Sequence, residues 1–324
     1  MNILVYEYIL GEEIDENTPL LLINEAKLII HSIIKDLSKN YPSSKITLLV
    51  DKKNKNFFEN TSILERNHES DLIDDFINHK NDYDKILVLA PEENYILYEI
   101  VRKMEENNIS HLNSASNVIK ITTNKSDTNK IFKKILSNTL PMHQNYIEIE
   151  SDELIISKKI DGIGAEDLFI FKNREDLERN INKLTKKHYF QKFISGVTIG
   201  VNIFAFKGFY RILSINEQIY QRKSEHEIYL KEMFIGKYNK LILDFDNIIN
   251  SILLNFEGLS GFFGVDFIMT DNNEIFFLEI NPRLTTSYSF LHESLGFNPM
   301  QLYNNINFDF NINNNKLFSK NLIT

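Results

Sequence analysis

The sequence predicts two joined architectures: a doubly wound α/β N-terminal domain, then an α+β part made of closely spaced, largely antiparallel strands. Three observations carry this. Up to about residue 113, short β-rich runs alternate with helical patterns, the rhythm of parallel βαβ units. After Pro141, strand-like runs follow one another with short connections. Near the C-terminal end, two apolar runs carrying acids flank an Asn272-Asn273 pair, a candidate hairpin turn.

Residues 2–9 open with an apolar strand pattern, and Pro19 to Lys39 places Leu22, Ala26, Ile29, Ile30, Ile33 and Leu37 at helical spacing. Pro19 suits a first helical turn. Ile46–Val50 and Asp84–Ala90 are further strands, and Pro91 opens a helix to about Asn107. These elements define a domain over residues 1–113. Residues 114–140 read as helical linker material, which with the strands that follow forms a second unit over 114–190. The expected strands are Tyr146–Glu150, Leu154–Ser157, Leu168–Phe171, Tyr189–Ile194, Thr198–Phe206 and Tyr210–Ile215, with helices at Glu175–Leu184 and Leu241–Leu254. A third unit over 191–324 holds the last strands, Gly264–Thr270 and Glu274–Asn281. The Asn-rich tail beyond Asn304 is expected to be loose.

Composition narrows the function classes. The 324 residues are 43% apolar and 25% charged, as in an ordinary globular protein, and carry a formal net charge of −9. That balance argues against nucleic acid or anionic lipid as the main partner. With no Cys, disulfides, thiolate zinc sites and Cys nucleophiles are excluded. The start reads as a strand, not a signal peptide, and no apolar run approaches the ~20 residues needed to cross a bilayer. A cytoplasmic location is expected. The eight His are scattered without metal spacing, and His226 and His292 read as surface or packing residues.

The strongest local signal is the carboxylate hairpin. If Asn272 and Asn273 form a two-residue loop, Asp271 pairs with Glu274, and counting outward sets Asp266 opposite Glu279. Asn281 then lies on the same face. Directly opposed like charges destabilise a sheet, so the arrangement makes sense if a cation sits between them. Carboxylate and amide oxygens without His or Cys suit a hard cation such as Mg²⁺. Arg283, just past the strand, is placed to meet a phosphate.

These residues resemble the ATP-grasp superfamily. Gly264-Val-Asp266-Phe followed by Leu-Glu279-Ile-Asn281-Pro-Arg283 looks like its metal-binding end. Ala90-Pro91-Glu92-Glu93, Leu112-Asn113-Ser114 and Asn124-Lys125 look like the entry to its nucleotide site. Ile156-Ser-Lys158-Lys-Ile-Asp161-Gly162 looks like the strand with the phosphate lysine, and Gln191-Lys192-Phe193-Ile194-Ser-Gly196 like the segment that holds adenine. The resemblance implies two lobes with antiparallel sheets enclosing ATP. It implies that Asp266, Glu279 and Asn281 hold Mg²⁺ or Mn²⁺, with two ions expected. Lys125 and Lys158 would contact phosphates, Gln191, Lys192, Phe193 and Ile194 would line the adenine pocket, and Thr198 would replace the usual acidic ribose contact. The loop Asp161–Asp167 has fewer glycines than the family's phosphate loop, and two acids follow them.

Within the superfamily, Val5-Tyr6-Glu7-Tyr8, Leu213-Ser214-Ile215-Asn216-Glu217-Gln218 and Asn281-Pro-Arg283-Leu-Thr285-Thr286-Ser287 resemble small amino-acid ligases. That implies L-glutamate and an amine such as tyramine as substrates, joined through an acyl phosphate. Arg283 and Lys158 become the catalytic candidates. Asn216, Gln218, Thr285, Thr286 and Ser287 are candidates for a substrate pocket. Glu7 and Glu92 follow N-terminal strands, where α/β sheets bind ligands, and an acid there can hold an ammonium. Residues 155–172 are a candidate lid, because an acyl phosphate must be shielded from water. A homodimer is a possible assembly. Two alternatives stand beside this reading: a ligase of other amino acids, and a nucleotide-binding sensor without turnover.

Overall fold

The computed structural model describes residues 1–13, 18–136, 138–162, 167–307 and 318–321. The Asn-rich stretch 311–315 and residues 163–166 of the expected phosphate loop lie outside these. The N-terminal part runs β1 (Ile3–Glu7), α1 (Tyr8–Gly11), α2 (Leu20–Asn40), β2 (Ile46–Val50), β3 (Ser62–Glu65), α3 (Leu72–His79), β4 (Lys85–Leu89) and α4 (Ile96–Glu106). Its strands form a parallel sheet in the order β3-β2-β1-β4. Side chains alternate between faces along each strand. Ile3, Val5, Leu48, Val50, Leu87 and Leu89 pack on Ala26, Ile30 and Ile33 of α2. Leu4, Tyr6, Leu49, Ile86 and Val88 pack instead on Phe76 of α3 and Leu97, Val101 and Met104 of α4. Both faces are covered, which explains the nearly continuous apolar runs of these strands.

Two elements here carry too short a pattern to be read from sequence, β3 and α3. The helix expected from Pro91 begins only at Ile96. The intervening turn holds Asn94 at φ 55° and Tyr95 at φ 62°, a left-handed conformation that bulky residues rarely adopt.

Next come α5 (Ser116–Thr123) and α6 (Lys125–Ile135), then β5 (Ile155–Lys159), β6 (Phe169–Phe171), α7 (Arg174–Arg179) and β7 (His188–Lys192). The small sheet is antiparallel, in the order β6-β5-β7. The strand expected at Tyr146–Glu150 is a single 3-10 turn, Tyr146–Glu148. Asn145 accepts a hydrogen bond from the Ile147 amide, and this local cap competes with extended structure.

The large sheet is built from β8 (Val197–Phe206), β9 (Phe209–Arg222), β10 (Ile228–Ile235), β11 (Gly261–Met269), β12 (Ile275–Asn281) and β13 (Phe318–Asn321), with α8 (Ile242–Asn255) and α9 (Tyr288–Leu295) alongside. Its order is β12-β11-β8-β9-β10-β13. One face, with Ile199, Val201, Ile215, Val265, Phe267 and Ile280, packs on Phe245, Ile249 and Ile252 of α8 and Phe132 of α6. The alternate residues Gly200, Asn202, Gln218, Asp266, Glu279 and Asn281 therefore share the opposite face. Among the described residues no helix is long and apolar enough to cross a membrane.

The hairpin departs from the expected route and arrives at the expected pairing. Its loop has three residues, because the Thr270 amide bonds the Glu274 carbonyl at 3.0 Å and Asn273 sits at φ 60°. That shifts the pairs next to the turn by one, to Met269 opposite Ile275. A β-bulge at Leu278 then restores the count, so Asp266 stands opposite Glu279 and Gly264 opposite Asn281.

Candidate active site

The site face of the large sheet looks toward the small sheet. Asp266 on β11 is held from both sides: Asn281 Nδ2 donates to Oδ2 at 2.9 Å, and Gln218 Nε2 on β9 donates to Oδ1 at 3.0 Å. The Tyr220 hydroxyl donates to Gln218 Oε1 at 3.2 Å and so fixes the amide's orientation. Gly200 on β8 leaves room for this pair, since a Cβ there would lie 2.8 Å from Gln218 Nε2 and 3.1 Å from Asp266 Oδ1. Burial, with the charge of Glu279 added, pushes the Asp266 carboxyl up to about 7, and the two amide hydrogen bonds and Lys158 oppose that rise.

Two ammonium groups face these acids. Asn124 caps α6 by accepting from the Ser126 and Asp127 amides, which sets Lys125 at the helix's first turn. Lys125 is buried, not the surface residue its Lys/Asn-rich setting suggests, and its Nζ lies 3.1 Å from Glu279 Oε2. Lys158 on β5 is near enough to Glu279, Lys125 and Asp266 for each to act on its charge. Burial holds its pKa below the ordinary lysine value, against the pull of the acids. The cations that relieve the opposed carboxylates here are thus lysine ammonium groups. Lys159 points the other way, to Asp167 at 2.5 Å and Glu93 at 3.2 Å, as adjacent strand residues must.

Arg283 follows β12 and reaches the N-terminal domain, where its Nε and Nη2 donate to Glu92 Oε2 at 3.1 and 3.0 Å. Burial works against its charge, but Glu92, Glu25 and Glu7 raise its pKa. Glu92 and Glu93 sit in the turn with the left-handed Asn94 and Tyr95, so one turn ties both lobes, through Arg283 and Lys159. Glu7 ends β1 and accepts from the Leu10 amide at 2.9 Å. Burial pushes its carboxyl up to about 7, against the Leu10 and Ile9 amides and Arg283.

The loop after Arg283 is anchored by a residue that sequence reasoning missed. Asn202 Oδ1 accepts from Thr285 Oγ1 at 3.1 Å and Ser287 Oγ at 2.8 Å, while its Nδ2 donates to Ser214 Oγ at 2.9 Å. Thr286 donates to Glu25 of α2, another residue not singled out. Its only signal was a place in the second turn of a helix whose apolar face drew the attention.

Other expected residues stand apart. Asn216 shares the site face, but its Oδ1 accepts from the Gly236 amide at 2.9 Å, which commits it to a turn. Lys192 is exposed and paired with Glu153, so its side chain faces away from the interlobe space. Gln191 is buried with its Nε2 3.4 Å from the Leu140 carbonyl. Phe193 and Ile194 are half-buried just beyond β7, and Thr198 lies between Gln218 and Ile268 in the large sheet.

The donor set fits a hard divalent ion. It offers two carboxylates and an amide, all oxygen ligands, as Mg²⁺ prefers over the N and S ligands of zinc. Among the described residues no group of three or more His, Cys, Asp or Glu side chains forms a metal site. An ion at Asp266 and Glu279 therefore needs further oxygens from water or phosphate, the usual habit of Mg²⁺.

A small and a large antiparallel sheet, with acids on the large one facing a lysine from the small one, is the arrangement of a nucleotide-dependent ligase fold. Family models agree: an ATP-grasp domain matches residues 122–287 and a pre ATP-grasp 3 domain matches residues 44–119. The chain belongs to the ATP-grasp family. Among curated proteins it is similar to the tyramine–L-glutamate ligase of Methanocaldococcus fervens, 28% identical over 236 residues that cover 71% of this chain and 69% of the relative. The tyramine–L-glutamate ligase of Methanocaldococcus jannaschii is 25% identical over 297 residues, 88% and 83% of the two chains. Two solved structures share the fold. The biotin carboxylase domain of Hydrogenobacter thermophilus 2-oxoglutarate carboxylase, in complex with MgADP, has a TM-score of 0.72 at 12% identity, covering 97% of this chain and 72% of that one. The L-amino acid ligase from Bacillus licheniformis has a TM-score of 0.62 at 14% identity, covering 93% and 73%.

Proposed function

We propose that this chain is an ATP-dependent carboxylate–amine ligase that joins the side-chain carboxylate of L-glutamate to tyramine, releasing ADP and phosphate. The observation that carries the reading is the Asp266–Glu279–Asn281 set facing Lys158 and Lys125 across the two lobes. The similarity to two tyramine–L-glutamate ligases supports the choice of substrates.

In this reading a glutamate carboxylate oxygen attacks the γ-phosphorus of ATP, and the bond to the β,γ-bridging oxygen breaks with loss of ADP. The amine nitrogen then attacks the acyl carbon, the bond to the phosphoryl oxygen breaks, phosphate leaves, and the nitrogen gives up a proton. Phosphoryl transfer depends chiefly on positioning and charge neutralisation. Mg²⁺ or Mn²⁺ at Asp266, Glu279 and Asn281 supplies neutralisation when bound. Lys125 and Lys158 hold phosphate oxygens, with Lys125 exchanging its contact to Glu279 for them. Gln191, Phe193 and Ile194 line the adenine side, with Lys192 contributing only its backbone, and Thr198 meets the ribose. Arg283 stabilises the transferring phosphoryl group or the oxyanion at the acyl carbon. Thr285, Thr286 and Ser287 shape the substrate side, and Gln218 orients Asp266.

The test is phosphate release by the full chain with ATP, Mg²⁺, L-glutamate and a panel of amines. Release that requires both glutamate and tyramine is expected. Release only with another amine or acid would redirect the substrate assignment, and no release with any pair would overturn the ligase reading.

A further inference from the structure

Three glutamates from separate elements of the N-terminal domain lie near enough to one arginine of the large lobe to act on its charge. Glu7 ends β1, Glu25 lies in the second turn of α2, and Glu92 follows β4. All three act on the charge of Arg283, and only Glu92 hydrogen-bonds it. Three carboxyl groups face one guanidinium, and Glu25 and Glu92 alone outnumber its charge.

The pairing is also incomplete at the atomic level. Glu92 is 5% exposed, and its Oε2 takes both bonds from Arg283 while Oε1 is buried with no hydrogen-bond partner among the described residues. A buried carboxylate oxygen without a donor costs on the order of 1–3 kcal/mol or more. The strained turn at Asn94 and Tyr95 nevertheless holds Glu92 there. Glu7 is buried as well, with no cation of its own, and burial raises its carboxyl pKa. Glu25 is half-buried and meets Thr286 of the substrate-side loop. The missing partner is a donor that is positive, compact and rich in hydrogen-bond protons. A primary ammonium has three such protons on a point charge.

We infer that Glu7, Glu25 and Glu92 form an ammonium-binding subsite beside Arg283, which receives a primary ammonium group of the substrate. The inference rests on the ligase reading only for the ligand's source, either the amine nucleophile or the α-ammonium of the amino acid. Glu25 and Glu92 are then specificity determinants, and Arg283 between them and the metal-binding acids separates the cationic from the anionic end of the site.

Calorimetric titration of the full chain tests this without turnover. The probes are tyramine against its uncharged alcohol analogue 4-(2-hydroxyethyl)phenol, and L-glutamate against glutarate, each with wild type, Glu25→Gln and Glu92→Gln. Glu25→Gln keeps an acceptor for Thr286, so its fold is expected to survive. In wild type at least one ammonium probe should bind tenfold or more tightly than its uncharged partner, and that preference should shrink at least fivefold in both variants. Loss for tyramine assigns the subsite to the amine, and loss for L-glutamate assigns it to the amino acid. Equal binding of charged and uncharged probes in wild type, or an unchanged preference in Glu25→Gln, overturns the inference. A chain that releases no phosphate yet shows the charge preference would fail as a ligase and keep the subsite.

Discussion

Lys125 lies 3.1 Å from Glu279, which itself stands directly opposite Asp266 across the β11–β12 pair. Two acids that would repel each other on a bare sheet are thus compensated by ammonium groups from α6 and β5. Under the proposed function this compensation is exchangeable: a metal ion with its phosphates would take the acids while the lysines turn to the phosphates.

Glu279→Gln should therefore lower stability, not raise it. The change relieves repulsion with Asp266 but leaves the buried Lys125 ammonium with the neutral Gly162 carbonyl and no paired carboxylate, and the loss of a buried charged partner outweighs the relief, by about 1–3 kcal/mol. Thermal or urea unfolding without metal checks the sign. Turnover should fall at least about 100-fold, as expected when a group that neutralises transition-state charge is removed.

Gln218→Ala should weaken metal use without touching a ligand. It removes the donor to Asp266 Oδ1 and the acceptor for the Tyr220 hydroxyl. Groups that orient metal ligands are worth roughly 10–100-fold in metal affinity. The Mg²⁺ concentration giving half-maximal phosphate release should rise by that factor, with maximal rate at saturating Mg²⁺ changed far less.

Asn202→Ala should loosen the loop that carries Arg283. Three hydrogen bonds are lost, two of them buried, at a cost of about 1–3 kcal/mol. Displacement of Arg283 by a fraction of an ångström to 1 Å should lower kcat by roughly 10–100-fold, with the KM for ATP nearly unchanged because Asn202 lies away from the adenine segment. Steady-state kinetics beside an unfolding curve separates the two effects.

Glu7 gives the free chain a pH dependence. Its carboxyl pKa rises on folding from 4.5 to about 7, so the folded state holds the proton more tightly than the unfolded one. Its contribution is most favourable below pH 4.5 and is lost as pH rises through 7, by an amount on the order of 3 kcal/mol. Glu7→Gln should flatten the stability profile between those values, and make the chain more stable than wild type at pH 8. Urea midpoints from pH 5 to 8 would show it.

Much of this was legible in the sequence. The parallel sheet was readable because both of its faces are buried, which gives uniform apolar runs. The carboxylate pair was readable because strand alternation is rigid, although the count succeeded through two deviations that cancel, a three-residue loop and a bulge at Leu278. The adjacent lysines Lys158 and Lys159 divided between faces as strand geometry requires. What sequence could not give was position in space. Nothing local marks Glu25 as a neighbour of Thr286, or Asn202 as the anchor of a loop some eighty residues away. Asn216 and Lys192 are the opposite case: their chemistry suits a pocket, while Gly236 and Glu153 hold their side chains. The short β3 and α3 had too few residues for a periodic signal.

The central claim, that a carboxylate is activated by phosphoryl transfer at Asp266 and Glu279, is tested most directly with oxygen-18. The full chain is supplied with ATP, Mg²⁺, tyramine and L-glutamate labelled in both side-chain carboxylate oxygens, and the released phosphate is examined by mass spectrometry. Attack of that carboxylate on the γ-phosphorus predicts one ¹⁸O atom in each phosphate formed with amide. Amide formation with unlabelled phosphate would contradict the account.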